Sequence, residues 1–278
     1  MDQPTKISLL SCRPRKWDKA YNADLLEAFV RRANRKRPDL ILGPEGMLEG
    51  YVVNEVIREP STRDAMVEVA EPIDGPAIKR FRKLARTLKV CIAFGFAERI
   101  RREVYNAAVF IDPQGNICGK YHKTQFAEGY HHSWSFNRIG RKLRAFNTPL
   151  GRIGFLICND RGNPMIARAL ALDGARLLLV PSYGSRSKPG NIACLKGRSA
   201  ENGVPVAFAN VGINILVSQG QVVAVDKRLD WITTGVVEMP AVPSKEEARA
   251  AERAYLQAQG PEMRRRHRAT MLALRNEK

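Results

Sequence analysis

Three residues whose types could together carry out covalent catalysis lie at separate points of the chain: Glu45, Lys123 and Cys158. A thiol attacks a carbonyl or nitrile carbon far better as the thiolate, and a neighbouring ammonium group favours that charged form. A carboxylate can take the thiol proton and later return it to a departing amine. The set therefore predicts a cysteine hydrolase. The Lys123 ammonium and the backbone N–H of Asn159 would serve as oxyanion donors.

Each of the three residues follows a run of apolar residues that predicts a buried strand. The three runs cover residues 40–42, 117–121 and 153–157. Sites in open α/β sheets gather at the carboxyl ends of the strands, so we expect the three side chains to meet there. Taken singly, Cys158 is equally typical of a small buried residue, Lys123 of a solvated loop and Glu45 of a turn.

The motifs around these residues resemble those of the nitrilase superfamily of carbon–nitrogen hydrolases. The matching segments, in family order, are 44–51 (PEGMLEGY), 121–123 (YHK), 157–161 (ICNDR) and 198–202 (RSAEN), followed by Asn210 and Gly212. The resemblance spans residues 5–240. It implies a catalytic triad of Glu45, Lys123 and Cys158, and it makes Tyr51 a candidate substrate-binding residue.

One departure from the family pattern lies between the lysine and the cysteine. Many relatives carry a second active-site glutamate there, and the segment 128–136 (EGYHHSWSF) places His132 at that position. Glu128, five residues after Lys123, is the other candidate for the role. A histidine that is neutral near pH 7 can hydrogen bond but supplies no fixed negative charge. Both Glu128 and His132 stay candidate substrate-site residues.

Two further segments bear on the substrate. After the nucleophile, residues 162–165 (GNPM) lack the aromatic residue and the carboxylate that relatives often have, so no relative's preference can be copied. The loop 182–189 (SYGSRSKP) is polar and basic, which favours an acidic or carboxylate-bearing substrate and makes Tyr183 a candidate contact. We expect Asp160 and Arg161 to support the nucleophile turn.

Cysteine usage and hydropathy limit the class of protein. The five cysteines are odd in number and widely spaced, without a Cys-x-x-Cys pair, so neither a disulfide framework nor a zinc site is indicated. No run of about 18 apolar residues predicts a membrane span, and no signal segment is recognisable. We expect a cytoplasmic protein whose chemistry needs no metal or organic cofactor.

The net charge of +18 is the second unusual feature of the sequence. Basic residues cluster at 31–37, 99–102, 138–144 and 264–268. Such runs are usually solvated faces, and no recognition motif with interleaved aromatic residues accompanies them. We therefore expect no specific nucleic-acid partner, and acidic substrates or weak polyanion binding are simpler consequences of the charge.

Strands alternate with amphipathic helices along the chain. They form two β-α-β halves with antiparallel hairpins, which predict a layered α/β sandwich and not a barrel. The predicted strands cover 6–12, 39–42, 90–96, 107–111, 117–121, 153–157, 177–181 and 205–210, and the predicted helices cover 23–37, 78–89, 165–172 and 192–202. The resemblance implies the family's four-layer α-β-β-α form and a homodimer or larger assembly. We expect a hydrolase domain over 1–243 and a basic helical extension over 244–278, a region that commonly reaches the partner subunit in relatives.

The favoured function is hydrolysis of a linear non-peptide C–N bond, in an amide or N-carbamoyl substrate, through a thioester on Cys158. A nitrilase would use the same residues through a thioimidate, and the sequence separates the two poorly. The remaining alternative is a catalytically weakened protein of the same fold that binds a ligand or polyanion.

Overall fold

A computed structural model describes residues 4–125, 137–184 and 187–241, and in the tail residues 250, 253–254, 257–258, 261–262, 264–269 and 272. The chain divides into two units, Met1–Pro240 and Ala241–Lys278. In the second unit the described residues are helical, apart from Ala241. There Glu262 pairs with Arg265 at 2.7 Å and with Arg266 at 2.8 Å. The boundary at residue 243 and the role of the extension stay predictions.

The first unit contains strands and helices in regular alternation. The strands are β1 (Pro4–Ser11), β2 (Leu40–Leu42), β3 (Cys91–Ile100), β4 (Glu103–Ile111), β5 (Ile117–His122), β6 (Asn137–Arg138), β7 (Phe146–Thr148), β8 (Gly151–Phe155), β9 (Leu177–Ser182), β10 (Val206–Asn210), β11 (Ile213–Ser218), β12 (Gln221–Asp226) and β13 (Trp231–Glu238). The helices are α1 (Lys19–Asn34), α2 (Val53–Arg58), α3 (Arg63–Val69), α4 (Pro76–Leu88), α5 (Pro164–Leu172) and α6 (Lys188–Asn202).

The strands form two mixed sheets. The strand order is β13-β1-β2-β3-β4-β5 in the first sheet, with β6 paired to β4, and β12-β11-β10-β9-β8-β7 in the second. Strands β1, β2 and β3 are parallel, as are β8, β9 and β10. An antiparallel partner follows each parallel set, β4 after β3 and β11 after β10. The predicted repetition of a β-α-β theme with hairpins is therefore confirmed.

Three apolar layers hold these elements together. Helices α1 and α4 pack on the first sheet through residues that include Leu26, Phe81 and Phe94. The two sheets pack face to face through a second set that includes Leu42 and Phe155. Helices α5 and α6 cover the second sheet through a third set. Helix, sheet, sheet and helix thus form the predicted four-layer sandwich.

Helix α1 begins four residues before the predicted start because Asp18 caps it, its carboxylate accepting the Tyr21 N–H at 3.0 Å. Helix α6 likewise begins four residues early, where the Ser187 hydroxyl accepts the Gly190 N–H at 3.3 Å. A single capping residue decides each start, whereas apolar spacing reports only the part of a helix that faces the core. Apolar spacing therefore identifies these helices but places their starts too late.

Candidate active site

The structure brings Glu45, Lys123 and Cys158 together between the two sheets. Each lies within three residues of the carboxyl end of a strand: β2, β5 and β8 respectively. Their side chains are almost completely buried, with exposures of 0%, 1% and 6%. A carboxylate and an ammonium group are buried in proteins only when they are paired, so their placement here points to a built site.

Three donors hold the Glu45 carboxylate. Its Oε1 accepts the Lys123 ammonium at 2.8 Å and the Asn106 side-chain amide at 2.7 Å, and its Oε2 accepts the Tyr183 backbone N–H at 2.9 Å. The loop carrying Glu45 lies tightly against β3, where a Cβ at Gly95 would lie 2.6 Å from the Glu45 Cα. Only glycine permits this approach, so the carboxylate is fixed by both its hydrogen bonds and its backbone.

Asn106 is a site residue that the sequence analysis missed. It lies on β4, and its carbonyl accepts the Lys123 N–H at 2.8 Å while its side chain binds Glu45. It thereby positions both members of the ion pair. The sequence does contain one indication of this role. An amide residue stands inside the otherwise apolar run 104–111, and an amide in a strand that packs in the core needs a hydrogen-bond partner.

Cys158 stands in a strained backbone conformation at the start of a 3-10 turn, Cys158–Gly162. Its φ angle is +47°, in the left-handed region of backbone conformation that residues other than glycine seldom adopt. Such strain persists only where the surroundings fix it, and it is typical of functional sites. The Sγ lies 3.8 Å from the Tyr183 carbonyl oxygen and 3.5 Å from Nη1 of the buried Arg161.

Arg161 belongs to this turn and stabilises it through hydrogen bonds of its guanidinium group. Its Nη1 also donates to the Cys158 carbonyl, and its Nη2 donates to Oδ1 of Asn191 on α6 at 2.9 Å. With 3% exposure the guanidinium contributes a second positive charge beside the thiol while reaching little solvent. These contacts support the expected role of Arg161 in holding the nucleophile turn.

Burial raises the pKa of the Cys158 thiol, and the Glu45 charge raises it further, while Lys123 and Arg161 act in the opposite direction. The resulting pKa lies above the ordinary value of 9.0. From the sequence we expect Lys123 to favour the thiolate. Its effect on the pKa has that sign, but burial and the Glu45 charge outweigh it. The raised pKa favours the protonated thiol, so attack by Cys158 would require a base within the site.

Asp160 joins the segment that follows β5 and carries Lys123 to the turn that begins at Cys158. Its completely buried carboxylate accepts the backbone N–H groups of Ile157 and Gln125, each at 2.9 Å. It also accepts the hydroxyl groups of Tyr121 at 2.8 Å and Thr124 at 3.2 Å. These donors come from both sides of the site, so Asp160 connects the segment around Lys123 to the segment around Cys158.

Replacing Asp160 by asparagine is expected to lower the free energy of unfolding by about 2–3 kcal/mol and kcat by about 10²-fold. The amide nitrogen would face one of the donors that now bind an oxygen. Urea unfolding and steady-state kinetics measure both effects. Asp64→Asn, an exposed change of the same chemistry, serves as control and should stay within about 0.5 kcal/mol of wild type. Equal behaviour of the two variants would contradict the role of Asp160.

Tyr51 and Tyr183, two of the candidate substrate-binding residues, form a stacked pair. Their ring centroids lie 4.5 Å apart at an interplanar angle of 14°. Tyr51 is 5% exposed, whereas Tyr183 is half-buried and binds Glu45 through its backbone. The pair thus forms one wall beside the Glu45 carboxylate. Glu128 and His132, the remaining candidates besides Asn159, lie outside the described residues.

Glu49 is a further buried carboxyl group, and the sequence analysis did not identify it. It is 4% exposed, and its Oε2 accepts the Ala97 N–H at 2.8 Å. Burial raises its pKa from the ordinary 4.5 to about 7, with a further contribution from the Glu45 charge. Its position four residues after Glu45 in a glycine-bounded loop was visible in the sequence, but its burial was not.

The raised pKa of Glu49 predicts a pH-dependent stability. The folded protein binds this proton more tightly, so the stabilisation is complete below about pH 4.5 and is lost as the pH rises through about 7. Between pH 5 and pH 8, wild type should lose about 2–3 kcal/mol of unfolding free energy relative to Glu49→Gln. Urea unfolding at both pH values measures this difference. The exposed change Glu68→Gln should follow wild type, and parallel pH profiles of all three proteins would contradict the assignment.

Among the described residues, no three His, Cys, Asp or Glu side chains are grouped so that they could hold a metal ion. No helix within the described part of the chain is long and apolar enough to cross a membrane. The expected independence from cofactors stays a prediction.

Comparison with known proteins gives consistent matches. The chain is 32% identical over 200 residues to N-carbamoylputrescine amidase from Oryza sativa subsp. japonica, a match covering 68% of this chain and 64% of the rice enzyme. It is 31% identical over 234 residues to an (R)-stereoselective amidase from Pseudomonas sp., covering 80% of this chain and 77% of that enzyme.

Solved structures and a family profile complete the comparison. The amidase from Nesterenkonia sp. AN1, in its complex with acrylamide, shares the fold with a TM-score of 0.71 at 22% identity, covering 94% of this chain and 96% of that one. The profile of the carbon-nitrogen hydrolases matches residues 6–235. This match covers most of the sequence and confirms the resemblance carried by the motifs. The chain belongs to the carbon-nitrogen hydrolase family.

Proposed function

We propose that this protein hydrolyses a linear non-peptide C–N bond, in an amide or N-carbamoyl substrate, through a thioester on Cys158. The observation that carries the proposal is the double role of Tyr183. Its N–H donates to the Glu45 carboxylate at 2.9 Å, and its carbonyl oxygen lies 3.8 Å from the Cys158 thiol. One residue thus holds the candidate base and the candidate nucleophile together at the end of β9.

In the first half-reaction, Glu45 takes the thiol proton as Sγ attacks the carbonyl carbon of the substrate. The Lys123 ammonium and the Asn159 N–H stabilise the resulting oxyanion. Glu45 then gives the proton to the departing nitrogen, the C–N bond breaks, and ammonia or an amine leaves. The acyl or carbamoyl group remains bound to Sγ.

In the second half-reaction, Glu45 takes a proton from water, and the hydroxide oxygen attacks the thioester carbon. The same donors hold the second oxyanion. Collapse of this intermediate breaks the C–S bond, and the sulfur regains a proton from Glu45. Glu45 alternates between base and acid in both halves, which suits a carboxylate whose position is fixed by Lys123, Asn106 and Tyr183.

The relatives guide the choice of substrates for a direct test. Ammonia release is measured with N-carbamoylputrescine, N-carbamoyl amino acids, aliphatic amides and nitriles, using an identically purified Cys158→Ala protein as the blank. Acid-quenched samples are analysed by intact mass for an acyl group on Cys158. We expect turnover of an amide or N-carbamoyl compound, together with the mass of the thioester.

Two other outcomes would overturn the proposal. Turnover confined to nitriles would place the protein with the nitrilases, whose intermediate is a thioimidate. Absence of both ammonia and adduct across the whole panel would favour a binding protein on the same fold. The blank separates either result from a contaminating hydrolase, since a contaminant is unaffected by the mutation.

We also propose that the protein forms a homodimer or larger homo-oligomer in the cytoplasm. Helix α5 supports assembly because it exposes Met165 at 69% and Leu172 at 74%, seven residues apart and therefore on one face. A reducing compartment suits the five free cysteines, of which Cys158 is the nucleophile. Light scattering tests the assembly, and a monomer at micromolar concentration would contradict it.

A further inference from the structure

A second cavity lies on the outer face of the first sheet, at its edge strand β5. Its volume is about 560 Å³. The floor consists of Tyr105 on β4 with Lys120, Tyr121 and His122 on β5, and the rim is formed by Glu103, Ile139, Arg141, Lys142 and Arg144. We call it the outer-sheet cavity. Its size suits a small organic ligand, since such sites commonly measure about 300–1,000 Å³.

The outer-sheet cavity and the triad use opposite faces of the same strand. Side chains alternate along a strand, so Lys120 and His122 point to one face of β5 and Tyr121 to the other. Tyr121 binds Asp160 between the sheets, and Lys123, which follows the strand, binds Glu45 there. Tyr121 also lines the cavity, so the two sites adjoin at β5, but the Lys120 and His122 side chains of the floor face away from the triad.

A buried carboxylate orders the floor of the cavity. Glu98 is 1% exposed and accepts the Lys120 ammonium at 2.5 Å through one oxygen and pairs with His122 Nε2 at 2.5 Å through the other. The His122 ring stacks on Tyr105 with centroids 4.2 Å apart and an interplanar angle of 18°. The polar groups of the floor are thus held in place before any ligand arrives.

The rim carries two cations that make no ion pair with the described residues. Arg138 pairs with Glu103 at 3.0 Å, and Arg144 pairs with Asp173 at 3.3 Å. Arg141 and Lys142 lie between them, exposed, and neither makes an ion pair within the described part of the chain. The rim segment is anchored to β5, because the Gly140 N–H donates to the Lys123 carbonyl at 2.8 Å.

We propose that the outer-sheet cavity binds a phosphorylated small molecule. The two unpaired cations of the rim attract a group with two negative charges, and an arginine fork matches phosphate oxygens in geometry. The cavity is larger than inorganic phosphate requires, and Tyr105 and Ile139 offer apolar surface to an organic part. This site accounts for the basic segment 138–144, which hydrolysis leaves unexplained. The inference is independent of the proposed function.

Titration calorimetry with ribose 5-phosphate and with inorganic pyrophosphate, at about 0.15 M salt to screen diffuse attraction, tests the proposal. The test variant is Arg141→Ala/Lys142→Ala. Its matched control is Arg35→Ala/Lys36→Ala, which removes the same charge from exposed residues at the end of α1. We expect one saturable site in wild type and control, and at least about tenfold weaker binding in the test variant.

Equal weakening in both variants would show attraction to net charge alone and would overturn the proposal, as would absence of saturable binding in wild type. Ring resonances of His122, assigned by comparison with His122→Gln, provide a second readout. Addition of ligand should shift them in wild type and in the control. Ammonia release by both double variants should match wild type, so failure here and failure of the proposed hydrolysis remain distinguishable.

Discussion

Replacing Cys158 by alanine is expected to lower kcat/KM for any hydrolysed substrate by at least about 10³-fold, because the proposed thioester forms on its sulfur. The fold should survive, because the change removes only one sulfur atom and leaves a small cavity, although the position is just 6% exposed. We expect the free energy of unfolding to change by no more than about 1 kcal/mol. Steady-state kinetics and urea unfolding on the same preparation measure the two quantities.

Cys118→Ala is the matched control for this prediction. Cys118 lies on β5, is partly buried, and directs its thiol to Asp112 at 3.6 Å instead of toward the triad. Its replacement should leave hydrolysis within about twofold of wild type. Activity that survives in Cys158→Ala, with the protein folded, would assign the chemistry to another group and remove the basis of the proposed mechanism.

Replacing Lys123 by methionine is expected to abolish hydrolysis and also to cost stability. The change leaves the Glu45 carboxylate buried without its cation, held only by Asn106 and the Tyr183 N–H. Removing one partner of a buried ion pair costs about 3–5 kcal/mol, because the remaining charge stays desolvated. Loss of the oxyanion donor should lower kcat by at least about 10²-fold, and urea unfolding and kinetics test the two effects separately.

A second substitution distinguishes the charge effect from general damage. In Lys123→Met/Glu45→Gln the isolated charge is gone, so at least about half of the lost stability should return while hydrolysis stays absent. Lys83→Met, an exposed lysine change on α4, should leave both quantities near wild type. A double variant no more stable than Lys123→Met would contradict the burial of an unpaired carboxylate as the cause.

Much of the triad could be predicted because each of its residues is marked by the sequence immediately before it. A glutamate, a lysine and a cysteine each follow an apolar strand, and sheet architecture brings the ends of such strands together. Asn106 could not be predicted in the same way. Its role depends on the register of β4 against β5, which places its carbonyl opposite the Lys123 N–H. Register is set by contacts between distant segments and leaves little trace in one sequence.

The pKa values of the site residues could not be predicted from the sequence either. The sequence predicts that Lys123 promotes the Cys158 thiolate, but burial has the larger effect and raises the pKa of the thiol. The same holds for Glu49, whose pKa rises to about 7 through burial. Desolvation depends on how completely the layers close over a group, and composition and spacing do not report this quantity.

The origin of the three residues in two different sheets couples activity to folding. Glu45 and Lys123 follow strands of the first sheet, whereas Cys158 follows a strand of the second, and Asp160 bonds across the junction. A fragment ending before β7 would carry the proposed base and cation without the proposed nucleophile, and the complementary fragment would carry that nucleophile alone. Hydrolysis is thus a property of the closed sandwich, and it reports the cooperative assembly of both halves of the chain.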